Sequence, residues 1–204
     1  MSDLQDHWNR AYATKAETAV SWYQPHLAIS SELIRASATT HAGIIDIGGG
    51  ASTLAEDLLR DGHRDVSVLD ISENALKKTQ DRLGDAAGAI NWIAADIVAW
   101  SPRRTWDVWH DRAVFHFLTG AAAQESYVAA LRAGTHPGST AIIATFALDG
   151  PERCSGLPVQ RYGVRELAAR IGLPFVLIDQ RAEQHRTPAG AIQSFIYVAL
   201  RRES

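Results

Sequence analysis

The chain has 204 residues, 46% hydrophobic and 21% charged, with 20 basic against 23 acidic side chains and a formal net charge of −3. That balance suits one globular domain over residues 1–204 and excludes a disordered tail protein. It carries no basic run longer than the pairs Arg103, Arg104 and Arg201, Arg202, and its single cysteine, Cys154, rules out an intramolecular disulfide.

No apolar stretch approaches the ~18 residues of a membrane helix, and the polar start MSDLQDHWNR does not read as a secretory signal. A reducing, cytoplasmic setting is expected, with neither nucleic acid nor membrane as partner. Oligomeric state is left open by the sequence.

Residues 26–38 read as a helix, with Pro25 at its entry turn. Gly43 to Ile47 is a short apolar strand that runs into Gly48, Gly49 and Gly50. Leu54, Leu58 and Leu59 then form a helical stripe ending near Gly62. A strand over 66–69 leads to Ser72, a cap for a helix over 73–83. Strands follow at 89–95 and 106–110, a helix at 121–133 stopping at Gly134, and a strand at 140–147. Val164, Leu167, Ala168 and Ile171 fall at helical spacing before Gly172 and Pro174. Strands over 175–180 and 192–200 have no helix between them and so form an antiparallel hairpin. The alternation predicts an α/β fold around a mostly parallel sheet.

The densest signal is IIDIGGGASTLAEDLL, residues 44–59. A strand that stops in three glycines before a helix lets the backbone turn sharply and a ligand lie close, facing free helix N–H groups. Asp46 stands at the end of that strand, Asp70 at the end of the next, and Asp96, followed by Ile97, at the end of the third. Asp70 lies near the ~20-residue offset at which an acid reaches a ribose hydroxyl pair. Asp96 with Ile97 can grip an adenine amino group and cover its ring. Three successive strands ending in Asp beside a glycine turn predict a nucleoside site. A dinucleotide oxidoreductase, the rival reading, prefers glycine where Thr53 stands and no negative charge beside its pyrophosphate, whereas Asp46 suits a ligand carrying an ammonium and a sulfonium.

These segments resemble the motifs of the class I S-adenosylmethionine-dependent methyltransferases. Asp46-Ile-Gly-Gly-Gly50 resembles the first motif, Val68-Leu-Asp70-Ile71 the second, and Ala95-Asp96-Ile97 the third. Asp107 to Asp111 is similar to the fourth, and His136-Pro-Gly-Ser139 to the turn before the fifth strand. The resemblance implies a Rossmann-like three-layer sandwich with a seven-stranded, mostly parallel sheet and an antiparallel last strand. It implies S-adenosylmethionine as cofactor, bound by Asp46, Gly48, Gly49, Gly50, Ser52, Asp70, Ile71, Asp96 and Ile97. Ser52 departs from the usual third glycine and adds a hydroxyl.

Two segments are expected to build the reaction chamber. Residues 7–25 carry Trp8, Tyr12, Trp22 and Tyr23 and resemble the WxxxY…WY segment of one branch of the family. In that branch the segment folds over the cofactor, so residues 1–25 are expected to be a lid, with Trp8, Tyr12 and Trp22 at the cofactor, over a core of 26–204. Aromatic faces there stabilise a sulfonium by cation–π attraction, and a lid excludes water.

The second segment, DVWHDRAVFHFL over 107–118, resembles the D-R-G loop of thiopurine-type enzymes and the D-K-G-T loop of lysine methyltransferases, with Ala113 replacing the glycine. Asp111 is the first candidate for orienting an acceptor, then His110, and His116 as a base. Cys154 and His185 can border the same pocket, with no metal-ligand spacing. The expected activity is methyl transfer to a small molecule, with protein lysine as the alternative acceptor.

Overall fold

The computed structural model describes residues 3–14 and 16–204, Glu17 by its backbone alone. The N-terminal segment expected as a lid therefore includes residues 1, 2 and 15, which lie outside the described residues. The elements run α1 (Asp3–Thr14), α2 (Ala28–Ser37), β1 (Gly43–Ile47), α3 (Leu54–Arg60), β2 (Asp65–Asp70), α4 (Glu73–Leu83) and β3 (Ile90–Ala94). They continue with β4 (Val108–Arg112), α5 (Ala121–Ala133), β5 (Thr140–Phe146), β6 (Arg153–Cys154), β7 (Leu157–Pro158), α6 (Val164–Ile171), β8 (Phe175–Arg186) and β9 (Ile192–Arg202).

Seven strands form one sheet in the order β3-β2-β1-β4-β5-β9-β8. β1 to β5 pair in parallel, while β9 runs antiparallel to both β5 and β8. The last strand is thus inserted between its predecessor and β5. This is the Rossmann-like arrangement, with the strand order reversing between β1 and β4, where ligands bind in open α/β sheets.

Side chains of the central strands alternate strictly between two cores. Ile44, Val66, Val68, Val108 and Ile142 pack on one face with Leu33 and Ile34 of α2, Leu54 and Leu58 of α3 and Leu76 of α4. Ile45, Leu69, Trp109, Ala141 and Ile143 pack on the other with Tyr127 and Leu131 of α5 and Leu167 and Ile171 of α6. Strands buried on both faces must be apolar throughout, which is why the β1 to β5 segments read as continuous hydrophobic runs.

Helices α4, α5 and α6 have the limits their periodicity predicts. The Ser72 hydroxyl accepts the Ala75 N–H and caps α4. The fourth strand begins at Val108, two residues later than the apolar run indicates. Trp106 is bound elsewhere: its N–H donates to the Gly134 carbonyl at 2.9 Å and its indole N–H to Ser67 at 3.0 Å. β8 extends six residues past its expected end and β9 two, because their mutual register carries pairing out to Arg186↔Ile192 and Phe175↔Arg202. An edge strand needs no apolar face on its solvent side, so the charged half of β8 gave no strand signal. The hairpin β6–β7 turns through Ser155 at φ 50° and Gly156 at φ 80°, a two-residue turn with both central residues left-handed.

Candidate active site

The glycine turn after β1 and the acids after β2 and β3 converge on the reversal point of the sheet. Gly48 has φ 70°, and a Cβ there would lie under 3.0 Å from the Val114 side chain. A Cβ on Gly49 would strike the Asp46 carboxylate, and one on Gly50 the Asp70 carboxylate. The turn therefore needs three residues without side chains because two carboxylates and a valine already occupy the space.

Asp70 is held from two sides. Its Oδ2 accepts the Gly50 N–H at 3.0 Å and its Oδ1 accepts the Ser72 N–H at 2.7 Å. Burial nonetheless pushes its pKa up to about 7, with the nearby Asp46 charge adding to the rise and the two backbone donors opposing it. Asp96 sits two residues beyond β3, its Oδ1 accepting the Val98 N–H at 3.1 Å, and Ile97 is buried beside it.

A cavity of about 840 Å³, open at its mouth, is lined by Gly48, Asp70, Ile71, Asp96 and Ile97 on one side. Its other side is made by Trp8, Tyr12, Trp22, Arg112, Phe117, Phe146, Phe195 and Cys154. A second cavity of about 490 Å³ adjoins it, lined by Asp46, Gly48, Gly49, Ser52, His110 and Arg112. Tyr12, Trp22, Gly48 and Arg112 border both. Gly50 faces neither; its N–H is spent on Asp70. Ser52 lines the second cavity, but its hydroxyl accepts the Leu54 N–H at 3.1 Å and so supports the start of α3.

α1 lies across the tips of the strands. Its Asn9 carboxamide oxygen accepts the hydroxyl of Ser72 at 2.8 Å, the residue whose N–H anchors Asp70. Trp8 packs edge-on against Phe117 at 5.1 Å and Trp22 at 5.8 Å, and Tyr12 against Trp22 at 6.1 Å. These rings form one wall of the larger cavity.

The candidates on β4 separate by strand alternation. Asp111 points into the α5 core, where its carboxylate accepts the Val114 and Phe115 N–H groups at 2.8 and 3.1 Å and the Tyr127 hydroxyl at 2.7 Å. Tyr127 in turn accepts the Trp109 indole N–H at 3.0 Å. Asp111 lines neither cavity; burial raises its pKa to about 6 against the donors that lower it. His110 points the other way, its Nδ1–H donating to Asp46 at 2.7 Å while Ser30 lies 2.9 Å from Nε2. A carboxylate only accepts, so Asp46 fixes the proton on Nδ1. Asp46, His110 and Ser30 form a buried chain at the floor of the second cavity.

His116 is fully buried and lines neither cavity. Its Nδ1 accepts the Phe146 N–H at 3.4 Å, and burial, with Arg112 nearby, lowers its pKa to about 3. His185 donates from Nε2 to the Ser21 carbonyl at 2.7 Å and accepts from Gln24 at 3.1 Å, which ties the N-terminal segment to β8 outside the cavity. Burial lowers its pKa. Cys154 is buried in the cavity wall and forms no disulfide.

The side chain the sequence underrated is Arg112. It shares the even face of β4 with His110, and strand alternation turns it into both cavities. Phe146 and Phe195 join it from adjacent strands β5 and β9, a convergence that only the register Phe146↔Phe195 creates. Ala113 follows at φ 75°, so the position where related loops carry glycine does require a left-handed residue here.

The profile of the Methyltransferase domain family matches residues 44–138, from β1 to the turn before β5, and so contains the glycine turn, Asp70, Asp96 and β4. Over that segment the chain resembles the class I S-adenosylmethionine-dependent methyltransferases. Their cofactor is S-adenosylmethionine. Over almost all of its length the chain has the fold of the 1,6-didemethyltoxoflavin N1-methyltransferase of Burkholderia thailandensis, with TM-score 0.73, 19% identity, and 98% of this chain and 88% of that one covered. It is likewise similar to the N-methyltransferase NodS of Bradyrhizobium japonicum, with TM-score 0.74, 14% identity, and 99% and 100% covered. In sequence, 92 residues are 27% identical to the mouse eEF1A lysine and N-terminal methyltransferase, covering 45% of this chain and 13% of that protein. The chain thus spans only a small part of that relative. Among the described residues no helix is long and apolar enough to cross a membrane.

The cavity fits the family's cofactor. A buried carboxylate at Asp70 suits paired ribose hydroxyls, Asp96 beside Ile97 suits an adenine, and the glycine backbone leaves room between them. Asp46 in the lining of the second cavity suits an ammonium group.

Proposed function

We propose that this protein transfers a methyl group from S-adenosylmethionine to a small-molecule acceptor, with residues 1–25 as a lid over a core of 26–204. The observation that carries this reading is the single cavity shared by Asp70, Asp96 and Ile97 on one side and the aromatic wall with Arg112 on the other.

When bound, the cofactor supplies an electrophilic methyl carbon on a sulfonium. Asp70 accepts hydrogen bonds from the ribose, Asp96 and Ile97 hold the adenine, and Asp46 attracts the ammonium. Trp8, Tyr12 and Trp22 exclude water and present ring faces to positive charge. Gly48 and Gly49 give the methionine portion access to the backbone, and Ile71 flanks the ribose. His110 holds Asp46 in place, and Asp111 shapes the loop after β4 through its two backbone hydrogen bonds. Alignment of two reactants in an enclosed site supplies most of the acceleration of such a displacement, so an obligatory base is not required. His116, neutral and outside the lining, is a packing residue in this reading.

Calorimetric titration with S-adenosylhomocysteine tests the cofactor site: micromolar binding is expected, severely weakened by Asp70→Ala. Absence of binding to the wild-type protein would end the proposal. The sequence similarity to a lysine methyltransferase favours a second reading, protein acceptors. Transfer of labelled methyl into proteins of a cell lysate would support it over the first.

A further inference from the structure

Arg112 is anchored but not saturated. Its Nε–H donates to the Tyr197 hydroxyl at 2.9 Å, one Nη1–H to the Trp22 carbonyl at 3.2 Å, and one Nη2–H to Glu183 at 3.4 Å. A guanidinium has five N–H bonds, so one on each terminal nitrogen is left over. Its guanidinium carbon lies 4.5 Å from the centre of the Phe195 ring, and its side chain is almost wholly withdrawn from solvent at 6% exposure. Tyr197 and Glu183, which hold it from behind, do not line the cavity, whereas Arg112 and Phe195 do.

The cavity is therefore polarised. Its adenosine end carries the carboxylates Asp70 and Asp96; its opposite end carries one guanidinium in an apolar wall of Trp22, Phe117, Phe146 and Phe195. One unspent N–H donor on each terminal nitrogen of a planar cation suits a two-oxygen or thiolate anion, and an apolar surround strengthens that recognition. An alkylammonium acceptor would meet the same cation across a wall that screens little.

We infer that Arg112 is the specificity-determining residue of the acceptor site and selects compact, apolar acceptors bearing a single anionic group, a carboxylate or a thiolate. This rests on the cofactor assignment made above. The anion is either an anchor beside the nucleophile or the nucleophile itself; in both cases Arg112 binds it.

The test uses the full chain saturated with S-adenosylhomocysteine and four probes on one ring skeleton: benzoate, thiophenolate, methyl benzoate and benzylammonium. Benzoate and thiophenolate are expected to bind at least about tenfold more tightly than the neutral and cationic probes. Arg112→Met should erase that preference, measured at saturating S-adenosylhomocysteine, and Arg112→Lys should keep part of it. The wild-type panel decides the matter even if Arg112→Met fails to fold. Equal binding of all four probes, preference for benzylammonium, or an anion preference that survives in Arg112→Met would overturn the inference. Failure of S-adenosylhomocysteine itself to bind would instead count against the cofactor assignment.

Discussion

Asp70 Oδ2 accepts the Gly50 N–H at 3.0 Å, so the acid at the tip of β2 and the glycine turn after β1 form one unit. The same carboxylate is buried and titrates near pH 7. Its folded-state pKa stands above the unfolded value of 3.8, so the stability linked to its protonated form is full below about pH 4 and lost as pH rises through about 7. Cofactor binding has the opposite sign, because an ionised carboxylate is the better acceptor for ribose hydroxyls.

Without ligand, the contribution of this group predicts a falling melting temperature between about pH 4 and 7, while S-adenosylhomocysteine affinity climbs toward and through pH 7. Asp70→Asn should remove most of the affinity slope. Melting curves and titrations across that range check both signs. An affinity that falls with pH would contradict the role given to Asp70.

Gly50→Ala places a Cβ under 3.0 Å from both the Asp70 carboxylate and the Ala75 methyl group, with little freedom to move either. Overpacking of this kind costs roughly 1–3 kcal/mol. The expected result is a lower denaturation midpoint together with weaker cofactor binding, since Asp70 must shift. Gly84→Ala has open space around its Cβ but a φ of 56°, so it should cost stability alone.

Tyr127→Phe leaves one oxygen of Asp111 without its hydroxyl donor and the Trp109 indole N–H without its acceptor. A cost of about 1–3 kcal/mol is expected in chemical denaturation. Acceptor KM should change little, because Asp111 and Tyr127 line neither cavity. A large KM change with unaltered stability would return Asp111 to the acceptor site.

Trp8→Ala opens the aromatic wall where Trp8 meets Phe117 and Trp22. Trp8 is half-buried on α1 rather than in the sheet core, so the stability loss should stay near 1 kcal/mol, below the 3–5 typical of a core tryptophan. Turnover should fall by roughly tenfold or more as water enters the chamber. Parallel melting and methyl-transfer measurements separate the two effects.

The strands, the glycine turn and the three acids were legible in residue order because each depends on local chemistry: an apolar run, a missing Cβ, a carboxylate at a strand tip. Caps behaved the same way, as Ser72 shows. The three neighbouring candidates His110, Asp111 and Arg112 were not separable in this way. Adjacent strand residues face opposite sides of the sheet, and which side holds the cavity depends on where the helices pack. The sequence alone therefore determined the fold and the placing of the glycine turn and three acids at the strand tips. Tertiary structure decided that Asp111 braces a loop, that His110 holds Asp46, and that Arg112 meets Phe195 of a strand paired with β5 some eighty residues further on in the chain. Such meetings arise from strand pairing across long separations, which no local pattern encodes.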